Sequence, residues 1–132
     1  MEKKNKAVVY QMVRPYVIGT TEDWKEDETS LSQLNRTFNG AVDVIALRIA
    51  DGTHVGIDAW VLDDALGQPR VGAYQIAFGD EYYGVAFLPQ TGTGMVVLGV
   101  NEQGETFGLT DKQALEVQQN LSITLIKELN ND

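Results

Sequence analysis

Hydrophobic runs and turn residues alternate along most of the chain in a pattern typical of an antiparallel sheet. The runs are rich in Val, Ile, Leu, Tyr and Phe, and short turns of Gly, Asp, Asn and Pro separate them. A first strand is predicted at residues 6–13, before Pro15. From residue 41 onwards, the pattern predicts strands near 42–50, 53–62, 70–78, 82–88, 94–100 and 105–109. Because the connections are short, we expect successive strands to pair as a meander.

Two segments carry helical signals instead. Leu31, Leu34 and Phe38 have helical spacing and predict a short helix over residues 29–38, which ends at Asn39-Gly40. The sequence Thr110-Asp111-Lys112-Gln113 fits a capping box and predicts a C-terminal helix over residues 110–130. The run LSITLI at 121–126 also alternates like a strand, so a final strand remains the alternative there.

Together these elements predict an α+β fold. We expect a single domain over residues 1–132, since a chain of this length can bury one core without disulfides. Residues 41–109 would form a curved antiparallel β-meander, giving six to seven strands with the first one. The C-terminal helix, residues 110–130, would pack on one face of the sheet, and the short N-terminal helix would precede the meander.

The hydrophobic pattern of the hairpin around the only histidine indicates its register. A two-residue turn would place apolar residues opposite polar ones. A three-residue loop at 50–52, with its glycine in the left-handed region, instead pairs Leu47 with Val55 and Ile45 with Ile57. This register gives one continuous apolar face, so the sequence predicts the longer loop.

The opposite face of that hairpin carries candidate binding residues. They are Arg48, His54, Asp58 and Trp60, around a shallow recess over small residues, unless another element packs there. His54 and Asp58 would lie roughly 13 Å apart along one strand. That separation excludes a direct hydrogen bond between them, and we predict no catalytic His–Asp pair.

Composition and charge exclude several classes of partner. The net charge is −9, with 10 Lys and Arg against 19 Asp and Glu, which disfavours nucleic acids and anionic membranes. The absence of cysteine removes disulfides and thiolate metal sites. The N-terminal apolar run is short and interrupted, and no run approaches the ~20 residues of a membrane span. We therefore expect a cytoplasmic protein.

Acidic turns suggest an interaction surface. Alternate turns of a meander lie at the same end of the sheet, which would bring together Asp51, Asp80, Glu81, Glu102 and Glu105. Such a rim could dock a basic protein. No EF-hand spacing is present, and we predict no metal and no cofactor. Residues 22–28 form a second acidic patch, with Trp24 as a possible binding residue.

The central strands are apolar on both faces, and one terminal helix can cover only one of them. Tyr82 and Tyr83, for example, should point to opposite faces of one strand. The other face must meet the N-terminal segment, close into a barrel, enclose a ligand or pair with another chain. A homodimer through this face is one expectation.

Three function classes follow from these observations. The first is a non-enzymatic protein-binding, accessory or inhibitor module with an acidic surface. The second is a carrier of a small apolar ligand between helix and sheet, near Trp60, Tyr74 and Tyr82. The third is an enzyme that uses Asp58 or Glu81 with Tyr83 or His54, which we do not expect because no catalytic group is assembled.

Overall fold

The structure is a computed structural model that describes residues 3–130, so residues 1–2 and 131–132 of the predicted domain lie outside it. Within this part of the chain, nine strands and two α-helices are found. They are β1 (Lys6–Val13), β2 (Tyr16–Asp23), α1 (Ser30–Phe38), β3 (Val42–Arg48), β4 (Gly56–Leu62), β5 (Arg70–Phe78), β6 (Glu81–Pro89), β7 (Thr91–Val100), β8 (Thr106–Phe107), α2 (Asp111–Asn120) and β9 (Leu121–Asn130), with a 3-10 turn at Ala65–Gly67.

The strands form two antiparallel sheets, which confirms the α+β class. The first sheet has the order β2-β1-β7-β4-β3, and β8 pairs with the end of β7. The second sheet has the order β6-β5-β9. The predicted meander is therefore wrong: β7 lies between β1 and β4, and β5 and β6 leave to form the second sheet. A central position suits β7 because both of its faces are apolar and a central strand can bury both.

The prediction of one helix over 110–130 is also wrong in its second half. The capping box is present, since Gln113 N donates to Thr110 Oγ1 at 3.1 Å and Thr110 N donates to Gln113 Oε1 at 2.9 Å. However, α2 ends at Asn120, and β9 follows and pairs with β5 along its length. Alternation places Leu121, Ile123 and Leu125 against the core between the sheets, so strand pairing outweighs the helical spacing.

The helix predicted at 29–38 is observed as α1, although two strands precede it. Thr29 caps its first turn by accepting a hydrogen bond from Ser32 N, and Asn39 ends it in the left-handed conformation at φ 54°. The second of the preceding strands, β2, was not predicted. It is an edge strand with mostly exposed side chains, so it lacks the apolar alternation that marks buried strands.

The molecule has three layers, namely α1, the first sheet and the second sheet, and a hydrophobic core lies between each layer and the next. The first core fills the space between the two sheets and also takes in α2 through Ala114 and Val117. The second core lies on the other face of the first sheet, beneath α1. β7 contributes to both: Met95 and Val97 enter the first core, and Val96 and Leu98 enter the second. The second face of β7 is thus covered by the N-terminal part of the chain. The buried members of the second core are Ala7, Val9, Trp24, Leu34, Val96 and Leu98.

The hairpin between β3 and β4 differs from the predicted register. Ile45 pairs with Ala59 rather than with Ile57, and the pairing shifts after Ala46. The loop is wider than predicted, since β3 ends at residue 48 and β4 begins at residue 56. Within it, Asp51 Oδ1 accepts hydrogen bonds from the backbone N–H groups of residues 53 and 54, each at 2.7 Å. The glycine at 52 does not have a positive φ, and the isoleucine at 49 is 82% exposed. Ile45 and Ile57 nevertheless both face the first core.

Tyr10 provides a test of the first core at high pH. Its side chain is 6% exposed, and its hydroxyl has no hydrogen-bond partner among residues 3–130. Burial raises the pKa of Tyr10 to about 12 from its ordinary value of 10.0. The unfolded chain therefore loses this proton at lower pH than the folded chain does. The free energy of unfolding does not change with the titration of Tyr10 below pH ~10, and it falls by about 3 kcal/mol in total as the pH rises from ~10 towards ~12.

We expect Tyr10→Phe to reduce the fall in the free energy of unfolding across that pH window, as measured by urea denaturation. Removing an unpaired buried hydroxyl should also leave stability at neutral pH equal or higher. Tyr16→Phe is the matched control, since Tyr16 is 68% exposed. If both variants keep the slope of the native chain, Tyr10 does not titrate as a buried group.

Candidate functional site

Two adjoining clefts lie at the end of the molecule that carries the β3–β4 loop, and residues 53–55 line both. The smaller has a volume of about 320 Å³, and its charged carboxylates are Asp51 and Glu102. We call it the acidic cleft. The larger, of about 580 Å³, lies between this loop and α2 and holds Arg48 and Lys112. We call it the basic cleft. His54 lies in the wall that they share.

Hydrogen bonds hold the charged groups of these clefts in place. Arg48 Nε donates to Val55 O at 3.1 Å, and Arg48 Nη1 lies 3.0 Å from Glu116 Oε1 on α2. The two backbone N–H groups bound by Asp51 lower the pKa of that carboxyl below its ordinary value. His54 Nδ1 lies 3.7 Å from Asp51 Oδ1. These hydrogen bonds fix the conformation of the β3–β4 loop, and the Arg48–Glu116 ion pair joins the end of β3 to α2.

Two of the four predicted residues of the hairpin face lie in one cleft, and the other two lie elsewhere. Arg48 and His54 lie together in the basic cleft. Asp58 lies on β4, paired with Ala46 and Leu98 of the neighbouring strands, and burial raises the pKa of its carboxyl. Trp60 packs against the second core.

The recess predicted over the small residues is not formed at Gly56. A Cβ added there would lie 2.6 Å from Val100 Cγ1 and 2.9 Å from Arg48 O. Neighbouring atoms already occupy the space that the missing side chain leaves. Another element packs on this face as well, since α1 contacts β3, β4 and β7.

The predicted acidic rim is brought together only in part. Asp51 and Glu102 line one cleft, and Glu105 belongs to the same turn as Glu102, with its N–H donated to Asn101 Oδ1 at 2.9 Å. Asp80 lies in the β5–β6 turn, and Glu81 begins β6 directly after it. This turn instead contacts the end of α2, where the backbone N–H of residue 79 donates to the carbonyl oxygen of residue 120 at 3.0 Å. Across residues 3–130, no group of three or more His, Asp or Glu side chains could hold a metal ion.

The predicted aromatic residues lie in separate places. Trp24 is 8% exposed and donates from Nε1 to Ser30 Oγ at 3.1 Å, so it packs in the second core rather than standing out from the acidic patch. Tyr74 is buried in the first core. Tyr82 is exposed, whereas Tyr83 on the opposite face packs against the first core and donates its hydroxyl to Leu47 O. The three residues of the carrier hypothesis, at 60, 74 and 82, thus do not meet.

Sequence reasoning did not predict a third cleft, where the edge of β3 approaches β6. It has a volume of about 250 Å³, and we call it the edge groove. Val85 and Phe87 are 49% and 41% exposed there, and Asp43 and Asp63 are its charged residues. The remaining lining residues are apolar: Ile45, Val61, Leu62, Ala65, Leu66 and Ala86. The alternation of Val85 and Phe87 along β6 was the one signal of this surface in the sequence.

The described residues, 3–130, contain no helix that is both long enough and apolar enough to cross a membrane. Comparison of the chain with models of protein families, with curated proteins and with solved structures gave no match.

Proposed function

We propose that the protein is a non-enzymatic protein-binding module whose edge groove takes a segment of a partner with both apolar and basic side chains. The observation that carries this proposal is the composition of the groove, which has exposed apolar walls and two aspartates as its charged residues. An exposed apolar patch bordered by polar residues is typical of an interaction site. We also expect the protein to act in the cytoplasm.

The volume of the edge groove suits one or two inserted side chains rather than a whole small molecule. Its volume of about 250 Å³ is below the ~300–1,000 Å³ usual for ligand pockets. Burial of Phe87 by a partner would remove a large aromatic side chain from water, and such residues often dominate binding energy. The edge groove can therefore bind a partner through a few apolar side chains that pack against Phe87.

Charge favours a basic partner. Asp43 and Asp63 border the groove, and the whole chain carries a net charge of −9. Complementary charge raises association rates and rejects partners of the wrong sign more than it adds affinity. We therefore expect Lys or Arg to flank the apolar residues of the bound segment, and we expect salt to slow association.

The test uses Phe87→Ser together with Tyr82→Ser. Both substitutions remove an exposed aromatic residue of β6, but only Phe87 lines the edge groove. Proteins captured by the native chain from an extract of its own organism would be identified, purified and measured for affinity. Phe87→Ser should weaken the binding of the true partner at least tenfold, which is about 1.4 kcal/mol, and Tyr82→Ser should change it little.

Asp43→Asn separates the electrostatic contribution. Asp43 Oδ1 accepts a hydrogen bond from Val44 N at 2.8 Å, and an asparagine keeps that acceptor while losing the charge. Association should slow, and its dependence on salt should decrease. Equal losses from Phe87→Ser and Tyr82→Ser would overturn the proposal. So would light scattering that shows a dimer of the native chain and a monomer of Phe87→Ser, because the occupant would then be a second copy.

A further inference from the structure

We propose that the basic cleft between the β3–β4 loop and α2 binds a small ligand that carries one anionic group, a carboxylate or a phosphate. This site is separate from the edge groove, and the proposal does not depend on protein binding there. Its basis is a local reversal of charge in an acidic chain, within a cleft of ligand size.

The reversal is clear from the residues that line the cleft. They include two of the ten Lys and Arg residues of the chain, Arg48 and Lys112, and a single carboxylate, Glu116. The only histidine, His54, is present as well. In the whole chain, by contrast, acidic residues outnumber basic ones almost two to one, 19 against 10. Because the screening length is ~8 Å at physiological salt, an anion in the cleft responds mainly to nearby groups. These are the lining residues together with Asp51, whose Oδ1 lies 3.7 Å from His54 Nδ1.

The two cations have different roles. Arg48 is held by Val55 O and by Glu116, and its side chain is 25% exposed. It is therefore ordered before a ligand arrives, which reduces the entropic cost of binding. Lys112 is exposed and forms no ion pair with another of the described residues. It can turn its ammonium group towards an incoming anion.

The beginning of α2 does not itself supply the site. Thr110 and Gln113 occupy each other's backbone N–H groups in the capping box, at 3.1 and 2.9 Å. Recognition of the anion is assigned to side chains from two separate elements, β3 and α2, and to the loop residue His54.

The neighbouring acidic cleft limits the size and charge of the ligand. Asp51 and Glu102 lie just beyond the shared wall at residues 53–55. A second anionic group that extended into that cleft would meet two carboxylates. The basic cleft alone has about 580 Å³, within the ~300–1,000 Å³ of ordinary ligand pockets. A small compound with a single anionic group fits this arrangement, whereas a polyanion does not.

The experiment is a titration of the full chain with inorganic phosphate and, separately, with acetate, at constant ionic strength and with backbone NMR shifts as readout. We expect saturable shifts at His54 and Lys112 for at least one of the two anions. The anion that saturates at the lower concentration identifies the preferred group. Tripolyphosphate should bind no more tightly than inorganic phosphate.

Charge-removing variants decide whether the named cations are responsible. Lys112→Gln should weaken binding about fivefold, and Arg48→Gln should weaken it more. Lys127→Gln, an exposed lysine on β9 outside the cleft, should have no effect. Lys112 forms no ion pair with another of residues 3–130, so its substitution decides the matter even if Arg48→Gln impairs folding. Shifts that never saturate, equal affinities of Lys112→Gln and Lys127→Gln, or tighter binding of tripolyphosphate would each overturn the proposal.

Discussion

Leu34→Ala is expected to lower the free energy of unfolding by about 2–5 kcal/mol, the range for removing most of a buried leucine from a core. Leu34 is 1% exposed and is the fully buried apolar residue through which α1 enters the second core, against Val96 and Leu98. Its loss would leave a cavity between the helix and the central strand β7. The cavity would form where few neighbours can move to fill it, since β7 is fixed by strands on both sides.

Urea denaturation followed by tryptophan emission measures this effect, because Trp24 shares the same core. Leu31→Ala is the matched control: it makes the same change on the same helix, at a position that is 59% exposed. We expect it to change stability by no more than ~0.5 kcal/mol. Similar losses from the two variants would show that α1 does not pack on the first sheet through Leu34.

This cover by α1 shows what the sequence could and could not reveal about the fold. The alternation of apolar and polar residues located most of the strands, because successive side chains of a strand point to opposite faces of the sheet. The same alternation showed that residues 94–100 are apolar on both faces. It could not show that α1, sixty residues earlier in the chain, provides the second cover. The partners of β7 are equally distant in sequence, and spacing alone does not encode such pairing.

The two errors at strand level have separate causes. β2 was missed because an edge strand with exposed side chains does not need apolar residues. β9 was assigned to the helix because the capping box at Thr110 correctly marks where α2 begins but contains no signal for where it ends. Leucine and isoleucine at 121, 123 and 125 fit either a helix or a strand, and pairing with β5 decides between them.

The sequence predicted only those parts of the candidate site whose residues lie close together along the chain. Arg48 and His54 were singled out from one hairpin, and they do lie together in one cleft. Their neighbours Lys112 and Glu116 come from α2, more than fifty residues away, and were not connected with them. The edge groove was missed for the same reason, because it forms where strands of two different sheets approach each other.

Gly108→Ala is the second substitution for which we expect a large effect. A Cβ at this position would lie 2.9 Å from the carbonyl carbon of Lys4, 3.0 Å from Cα of Asn5, and closer still to the carbonyl oxygen of Lys4. All three are backbone atoms, which cannot rotate away as a side chain could. The chain before β1 would have to move, and we expect a loss of about 3 kcal/mol, the upper part of the usual range for overpacking.

The movement would also disturb two hydrogen bonds that join the start of β1 to the segment before α2. Lys6 N donates to Leu109 O at 2.9 Å, and Leu109 N donates to Lys6 O at 2.6 Å. Hydrogen exchange of these two amides should therefore accelerate in Gly108→Ala, together with the fall in the urea midpoint. Gly52→Ala is the control, since an added Cβ there meets no atom within 4 Å and the residue does not have a positive φ.

The control should be nearly neutral or slightly stabilising, because alanine restricts the unfolded chain more than glycine does. The comparison tests a specific feature of the fold, namely that the backbone of residues 4–6 passes directly against the backbone of residues 108–109. If Gly108→Ala were as stable as Gly52→Ala, that close contact would be absent. The beginning of β1 would then lie further from the segment that leads into α2, and the first core would be open to solvent beside Leu109.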